Sequence, residues 1–278
     1  MKKILFPTDF SESANNAFVY ALKLADSLKA EIITLHVYEY PILDANYVEV
    51  PLYQAEVYQS LELANFENYK SQVPALHQIA HANGLGHVPL NNVLLEGDLV
   101  QNIATLVEKD NIDYVVMGTH GATGFTEFFF GTTTADVMTE TSAFVLAIPD
   151  ESKYQDIRKI GYAISYKQDE REALKRLLAL ADTWGAVVEC LHVQTEGETI
   201  GAETVAAWKA GFGNNVNFHT LVSNDIEESI IDFTEAHRID LVALLNHKRG
   251  FWESLFHTSL TKKLAFHLKT PLLALHKR

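Results

Sequence analysis

Only one cysteine, Cys190, stands among the 278 residues, which excludes an intrachain disulfide and a thiolate metal cluster. Its setting, Val187-Val188-Glu189-Cys190-Leu191, reads as a strand thiol with a packing role. Long apolar runs are also lacking: none approaches the ~20 residues of a membrane-spanning helix, so no membrane partner is expected. The opening Met1-Lys2-Lys3-Ile4-Leu5-Phe6 is broken by Pro7 and Asp9 before a secretory apolar region develops, and a cytoplasmic location is expected. Positive charge is scarce, with 22 Lys and Arg against 36 Asp and Glu. The resulting net charge of −14 opposes DNA, RNA and anionic lipid as partners. It equally opposes a free nucleotide unless the site is locally positive or a divalent cation accompanies the phosphates. Neither a Walker Gly-Lys-Ser/Thr ending nor the Gly-x-Gly-x-x-Gly of dinucleotide folds is found, and none of the 12 histidines has the His-Glu-x-x-His spacing of a metal site.

What remains is a globular composition, 47% apolar and 21% charged, long enough for two domains. Lys2 to Phe6 reads as a strand, with Thr8, Asp9 and Ser11 as turn and capping residues. Ala14, Ala17, Phe18, Ala21, Leu22 and Ala25 recur at helical spacing, and Glu31 to Val37 is a second strand. This βαβ order implies a parallel sheet with a right-handed crossover. The segment Tyr38 to Val50 reads as a loop, and Tyr53 to Asn83 as a long helical region that Pro74 should kink or split. A strand at Asn92 to Leu95, a helix at Leu99 to Lys109 and strands at Asp113 to Met117 and Ala143 to Ile148 complete a unit. The polar run Pro149 to Lys153 then marks a boundary between domains 1–149 and 156–278.

Between the fourth and fifth strands lies Gly118 to Thr133, reading GTHGATGFTEFFFGTT. Gly118 and Gly121 let backbone approach a ligand, and Gly131-Thr132-Thr133 places amides and hydroxyls at a helix start, where anions are favoured. The pattern is Gly-x2-Gly-x9-Gly-Thr. Together with Pro7-Thr8-Asp9 at the end of the first strand, it resembles the nucleotide-binding signature of the universal stress protein family. The resemblance implies that Asp9 contacts adenosine, that Val37 lines the adenine pocket, and that Gly118, Gly121, Gly131, Thr132 and Thr133 hold ribose and phosphates. Pro7, Thr8, Met117 and His120 complete the expected nucleotide-binding set. Asp9 has a second reading as a helix cap, and His120 as a loop residue. Phe128-Phe129-Phe130 reads as a lid or subunit contact, or as an anchor beneath the loop.

The second half repeats the first. Leu35-His36-Val37 returns as Leu191-His192-Val193, an offset of 192 − 36 = 156, and Ile112-Asp113 returns as Ile239-Asp240, an offset of 239 − 112 = 127. The 29 missing residues fall after the second strand. The resemblance therefore spans nearly the whole chain. The second copy loses the signature glycines, reading Leu244-Leu245-Asn246-His247-Lys248-Arg249-Gly250-Phe251 and Phe256-His257-Thr258-Ser259. Pro7-Thr8-Asp9 becomes Ala163-Ile164-Ser165. His247, Lys248, Arg249 and His257 gather positive charge, either as an anion or partner site or as a solvated loop.

The expectation is a tandem α/β protein of two doubly wound, five-stranded parallel-sheet domains, Rossmann-like and akin to the adenine-nucleotide alpha-hydrolase group. The resemblance implies a stress-response regulator that binds ATP, AMP or another adenine nucleotide with Mg2+ in its first domain. It further implies an internal pseudo-dimer through Phe144 to Ile148 and Pro271 to Leu275, with a homodimer of whole chains and an unidentified client protein left open. No Lys or Arg lies between Ile112 and Glu151, so the cationic machinery of phosphoryl transfer is not visible and at most weak ATP hydrolysis is expected, with no catalytic residue assigned. The alternatives are a nucleotide-free interaction module working through Tyr38 to Asn83, and an adenylyl-transfer enzyme of the same superfamily.

Overall fold

The computed structural model describes residues 1–39, 51–119, 132–197, 200–212, 216–246 and 269–276. The first half runs β1 (Lys3–Pro7), α1 (Glu12–Leu28), β2 (Glu31–Tyr38), α2 (Pro51–Ala82), β3 (Leu90–Glu96), α3 (Leu99–Asp110), β4 (Tyr114–Gly118), α4 (Thr132–Glu140) and β5 (Phe144–Ile148). The second runs β6 (Lys159–Ala163), α5 (Gln168–Trp184), β7 (Val187–Gln194), α6 (Ala202–Phe212), β8 (Val216–Val222), α7 (Ile226–His237), β9 (Leu241–Asn246) and β10 (Leu272–His276). Among the described residues all ten strands form one sheet, in the order β3-β2-β1-β4-β5-β10-β9-β6-β7-β8. Neighbours are parallel except β5 and β10, which pair antiparallel with Leu272 opposite Ala147 and Ala274 opposite Val145. The two segments expected to meet do so, and the halves share a continuous sheet.

The repeat is visible in the helix ends. Asp98 caps α3 by accepting from Gln101 N at 2.8 Å, and Asp225 caps α7 by accepting from Glu228 N at 3.0 Å. Those helices close on left-handed residues, Asn111 and Arg238. Both pairs are 127 apart, since 225 − 98 = 238 − 111. Helices α1 and α5 close on Lys29 and Gly185, at 185 − 29 = 156. The shortening lies where the sequence places it, α2 having 32 residues and α6 having 11.

Pro74 lies inside α2, which continues through it, so of the kink or split expected there the split does not occur. A proline removes one backbone donor from the ladder, and at this exposed position water can serve the carbonyl left without it. The loop expected at Tyr38 to Val50 lies, from residue 40 onward, outside the described residues.

Helices cover both faces of the sheet. One core gathers Phe6, Phe18, Leu22, Leu146, Tyr162, Leu174 and Leu177 around α1 and α5; the other gathers Leu5, Leu35, Ile103, Val115, Met117, Met138, Leu191 and Phe233 under α3, α4 and α7. Cys190 is fully buried in β7, and burial pushes its thiol well above the ordinary cysteine range, in keeping with a packing role. The polar boundary after β5 folds along α1: Asn16 Nδ2 donates to Ser152 O at 2.8 Å, Tyr20 OH and Ser152 Oγ share a hydrogen bond at 2.8 Å, and the rings of Tyr20 and Tyr154 meet edge-on at 5.0 Å.

Candidate functional site

In the first half the strand order reverses direction between β1 and β4. An open α/β sheet leaves a crevice at such a point, outside the carboxyl ends of the strands. Pro7 ends β1, Val37 is near the end of β2, and Met117-Gly118 ends β4. Val37 and Met117 pack in the same core cluster as Leu5. Pro7, two residues beyond Leu5 in an alternating strand, faces the same way. Three expected residues thus form one apolar wall at the mouth of the crevice.

Beside that wall the chain makes a tightly held turn. Thr8 is buried, its N–H donates to Leu35 O at 2.8 Å, and its Oγ1 accepts from Phe10 N at 3.0 Å. Asp9 is exposed, and its Oδ1 accepts from Ser11 N at 3.0 Å. Phe10 adopts a left-handed conformation, φ 61°, uncommon for an aromatic residue. The helix cap is Ser11, whose Oγ accepts from Ala14 N at 3.1 Å. Asp9 therefore shapes the turn and is not the cap, which decides one of the two readings of that residue against capping.

At β4, Gly118 O accepts from Thr134 Oγ1 at 3.3 Å, tying the strand end to the start of α4. Thr119 N donates to Ile148 O at 3.0 Å. Helix α4 begins at Thr132, with Thr133 half-buried in its first turn, so a helix N-terminus follows the glycine stretch. His120, Gly121 and Gly131 lie outside the described residues, as do Phe128-Phe129-Phe130 and the basic loop of the second half.

The corresponding place in the second half is built differently. A cavity of about 50 Å³ opens there between Ala163, Ile164, Leu191, Val193, Ile230 and Leu245, with Ser165, Lys167 and Glu170 at its polar side. Glu170 is 4% exposed, and its Oε2 accepts from Ser165 N at 2.8 Å and from Lys167 N at 2.9 Å. This is half of a capping box, because a lysine side chain at the cap has no acceptor to return. The first half has Ala14 where the second has Glu170, as 170 − 156 = 14. Where Asp9 serves the turn amide of Ser11, a buried carboxylate from the helix serves that of Lys167 instead.

Sequence reasoning missed Glu170 and missed two histidines. His36 Nδ1 lies 2.7 Å from Thr8 O, and His192 Nδ1 lies 3.0 Å from Ile164 O. The signal was present as the repeated Leu-His-Val, but only strand register brings a residue of β2 onto a carbonyl 28 positions earlier. Among the described residues no group of three or more His, Cys, Asp or Glu could hold a metal, and no helix is long and apolar enough to cross a membrane.

Comparison with known proteins bears on both halves. The sequence profile of the universal stress protein family matches residues 1–149. A universal stress protein of Methanocaldococcus jannaschii is 30% identical over 158 residues, covering 53% of this chain and 94% of the relative. A second from that organism is 28% identical over 152 residues, covering 55% of this chain and 84% of the relative. Among solved structures, a universal stress protein from Archaeoglobus fulgidus matches 99% of this chain and 96% of its own at TM-score 0.73 and 18% identity, a likeness of fold across both halves.

Proposed function

This chain belongs to the universal stress protein family, and we propose that its first half binds one adenine nucleotide as a regulatory ligand, in a cytoplasmic stress-response protein. The observation that carries the reading is the meeting, at the switch point of the sheet, of the Thr8-Asp9 turn, the apolar wall of Pro7, Val37 and Met117, and a helix that begins at Thr132 just after the glycine stretch. The apolar wall suits a purine face. Asp9 suits a hydroxyl or amino donor, and the amides and hydroxyls of Gly131, Thr132 and Thr133 suit phosphate oxygens.

Several phosphate charges at a site without Lys or Arg from residue 112 to residue 151 call for a divalent cation, and Mg2+ meets that need by bridging phosphate oxygens. Lys248 or Arg249 reaching the phosphates is the alternative source of charge. We assign no catalytic residue: the sequence supplies no cation set and nucleophile-orienting group of the kind that efficient phosphoryl transfer uses.

The second half is proposed not to bind a nucleotide. Ser165 stands where the first half has Asp9, the signature glycines are not repeated, and the amides of Ser165 and Lys167 are taken by the buried Glu170 carboxyl. A protein-contact role for α2 stands beside the nucleotide reading, favoured by the exposure of Tyr58, Leu63 and Phe66 on it.

Calorimetry of the whole chain with ATP, with and without magnesium, tests the reading. One site per chain is expected, abolished by Gly131→Val, untouched by Thr258→Val and weakened in a chelator. No binding, or two equivalent sites, overturns it, and equal affinity in a chelator removes the cation.

A further inference from the structure

The turn that presents Asp9 is held by more than its own residues. Thr8 N–H reaches Leu35 O, Thr8 Oγ1 takes the Phe10 amide, and Thr8 O lies 2.7 Å from His36 Nδ1. A carbonyl oxygen only accepts, so Nδ1 carries the proton and donates. Around this bond the rings close in: Phe10 lies 5.2 Å from His36, and Tyr69 of α2 stacks on His36 at 6.0 Å with 12° between planes. The ring of the left-handed Phe10 thus meets, at a tilt of 45°, the imidazole that holds Thr8.

The second half repeats the device with other side chains. His192 Nδ1 donates to Ile164 O at 3.0 Å, Ile164 N–H donates to Leu191 O at 2.9 Å, and Tyr166 takes φ 58° with its ring 5.2 Å from His192. Trp208 of α6 stands 5.3 Å from Tyr166, as Tyr69 of α2 stands 6.0 Å from Phe10. The threonine hydroxyl and the aspartate are absent here, yet the histidine bond and the left-handed residue remain. The bond therefore accompanies the backbone shape of the turn and does not depend on the residues that face a ligand.

We propose that His36 is a positioning residue of the first-half site: its Nδ1–H fixes the Thr8 carbonyl, and with it the left-handed turn that aims Asp9 at the nucleotide. This rests on the nucleotide reading above. His36 touches no ligand in this account. It acts by keeping the acceptor at Asp9 in one place, so that binding does not have to order the turn.

The test compares two substitutions in the full chain. In His36→Asn the side-chain amide falls where Nδ1 was and can donate to Thr8 O, whereas in His36→Gln it lies one bond too far out; both lose the ring. His36 is half-buried, so both variants are expected to fold, which unfolding transitions check. We expect His36→Gln to weaken ATP binding tenfold or more and to speed exchange of the Phe10 and Ser11 amides tenfold or more in nucleotide-free protein. His36→Asn should stay within threefold of wild type in both. Wild-type affinity and exchange in His36→Gln overturn the proposal, as does equal damage in the two variants, which would assign the effect to ring packing. In the unaltered protein, nitrogen shifts of neutral His36 should report the Nδ1–H tautomer, and the Nε2–H tautomer likewise overturns it. Failure of the wild-type chain to bind ATP at all marks instead the fall of the nucleotide reading.

Discussion

Arg176 of α5 lays its guanidinium 4.1 Å from the ring centroid of Phe144 in β5. The same side chain donates from Nη1 to His276 O of β10 at 2.6 Å. One residue of the second half thus grips both strands of the only antiparallel pairing among the described strands, the seam where the two halves join.

The seam should weaken when that grip is lost. Arg176→Leu removes a cation–π contact worth about 0.5–2 kcal/mol and a charged hydrogen bond worth about 1.5–3 kcal/mol, offset in part by the apolar replacement. A loss of about 1–3 kcal/mol in urea unfolding is expected. Arg176→Lys should recover less than half of it, because an ammonium neither stacks flat on the ring nor reaches the carbonyl in the same pose. Full recovery by lysine would mean that charge alone matters at the seam.

Much of this architecture is legible in the residues. Alternating and 3.6-spaced apolar positions locate β1, α1 and β2, and two constant offsets, 156 and 127, locate the second half and its shortening. Of the kink or split expected at Pro74 the split is absent, because Pro74 is exposed and water can serve the carbonyl that it leaves without a donor. The site is legible in type but not in wiring. Asp9 can be seen at the end of β1, but that Ser11 and not Asp9 caps α1 depends on the turn geometry. Glu170 looks like one more helix-surface acid until its carboxylate is found under the turn. His36 reaches Thr8 only through the register that sets Pro7 beside Leu35.

Acid should expose a second dependence. Glu189 of β7 is buried, which pushes its carboxyl up, but hydrogen bonds from His219 Nε2 at 2.7 Å and Asn217 Nδ2 at 3.1 Å, with the nearby charges of His219 and Lys159, outweigh burial and hold it below the ordinary carboxylate range. A group whose folded pKa is depressed contributes stability above its unfolded pKa, about 4.3 for glutamate, and that contribution is lost as pH falls through the folded value. Wild type should therefore exceed Glu189→Gln in urea midpoint at pH 6, and the gap should close by pH 3. A gap that is constant or widens with acid would show that Glu189 contributes through packing and not through its charge.

The two halves should answer differently when each turn loses its carboxylate. Asp9 is exposed, and its Oδ1 accepts from Ser11 N at the mouth of the proposed nucleotide site. Water replaces its hydrogen bond at modest cost, so Asp9→Ala should change stability by less than about 1 kcal/mol while weakening ATP binding tenfold or more. Glu170 is buried and accepts from both Ser165 N and Lys167 N, so its loss takes two hydrogen bonds from the turn at once. Glu170→Ala should cost about 1–3 kcal/mol of stability, the usual net worth of two hydrogen bonds, and leave the affinity and stoichiometry of ATP unchanged. Glu170→Gln should recover part of the loss, since its amide oxygen still accepts. Paired urea unfolding and calorimetry on the same preparations read both effects. Should Asp9→Ala unfold the protein as readily as Glu170→Ala, or should Glu170→Ala create a second ATP site by freeing the turn, the contrast fails. The second outcome would also identify the buried carboxylate as what keeps nucleotide out of the second half.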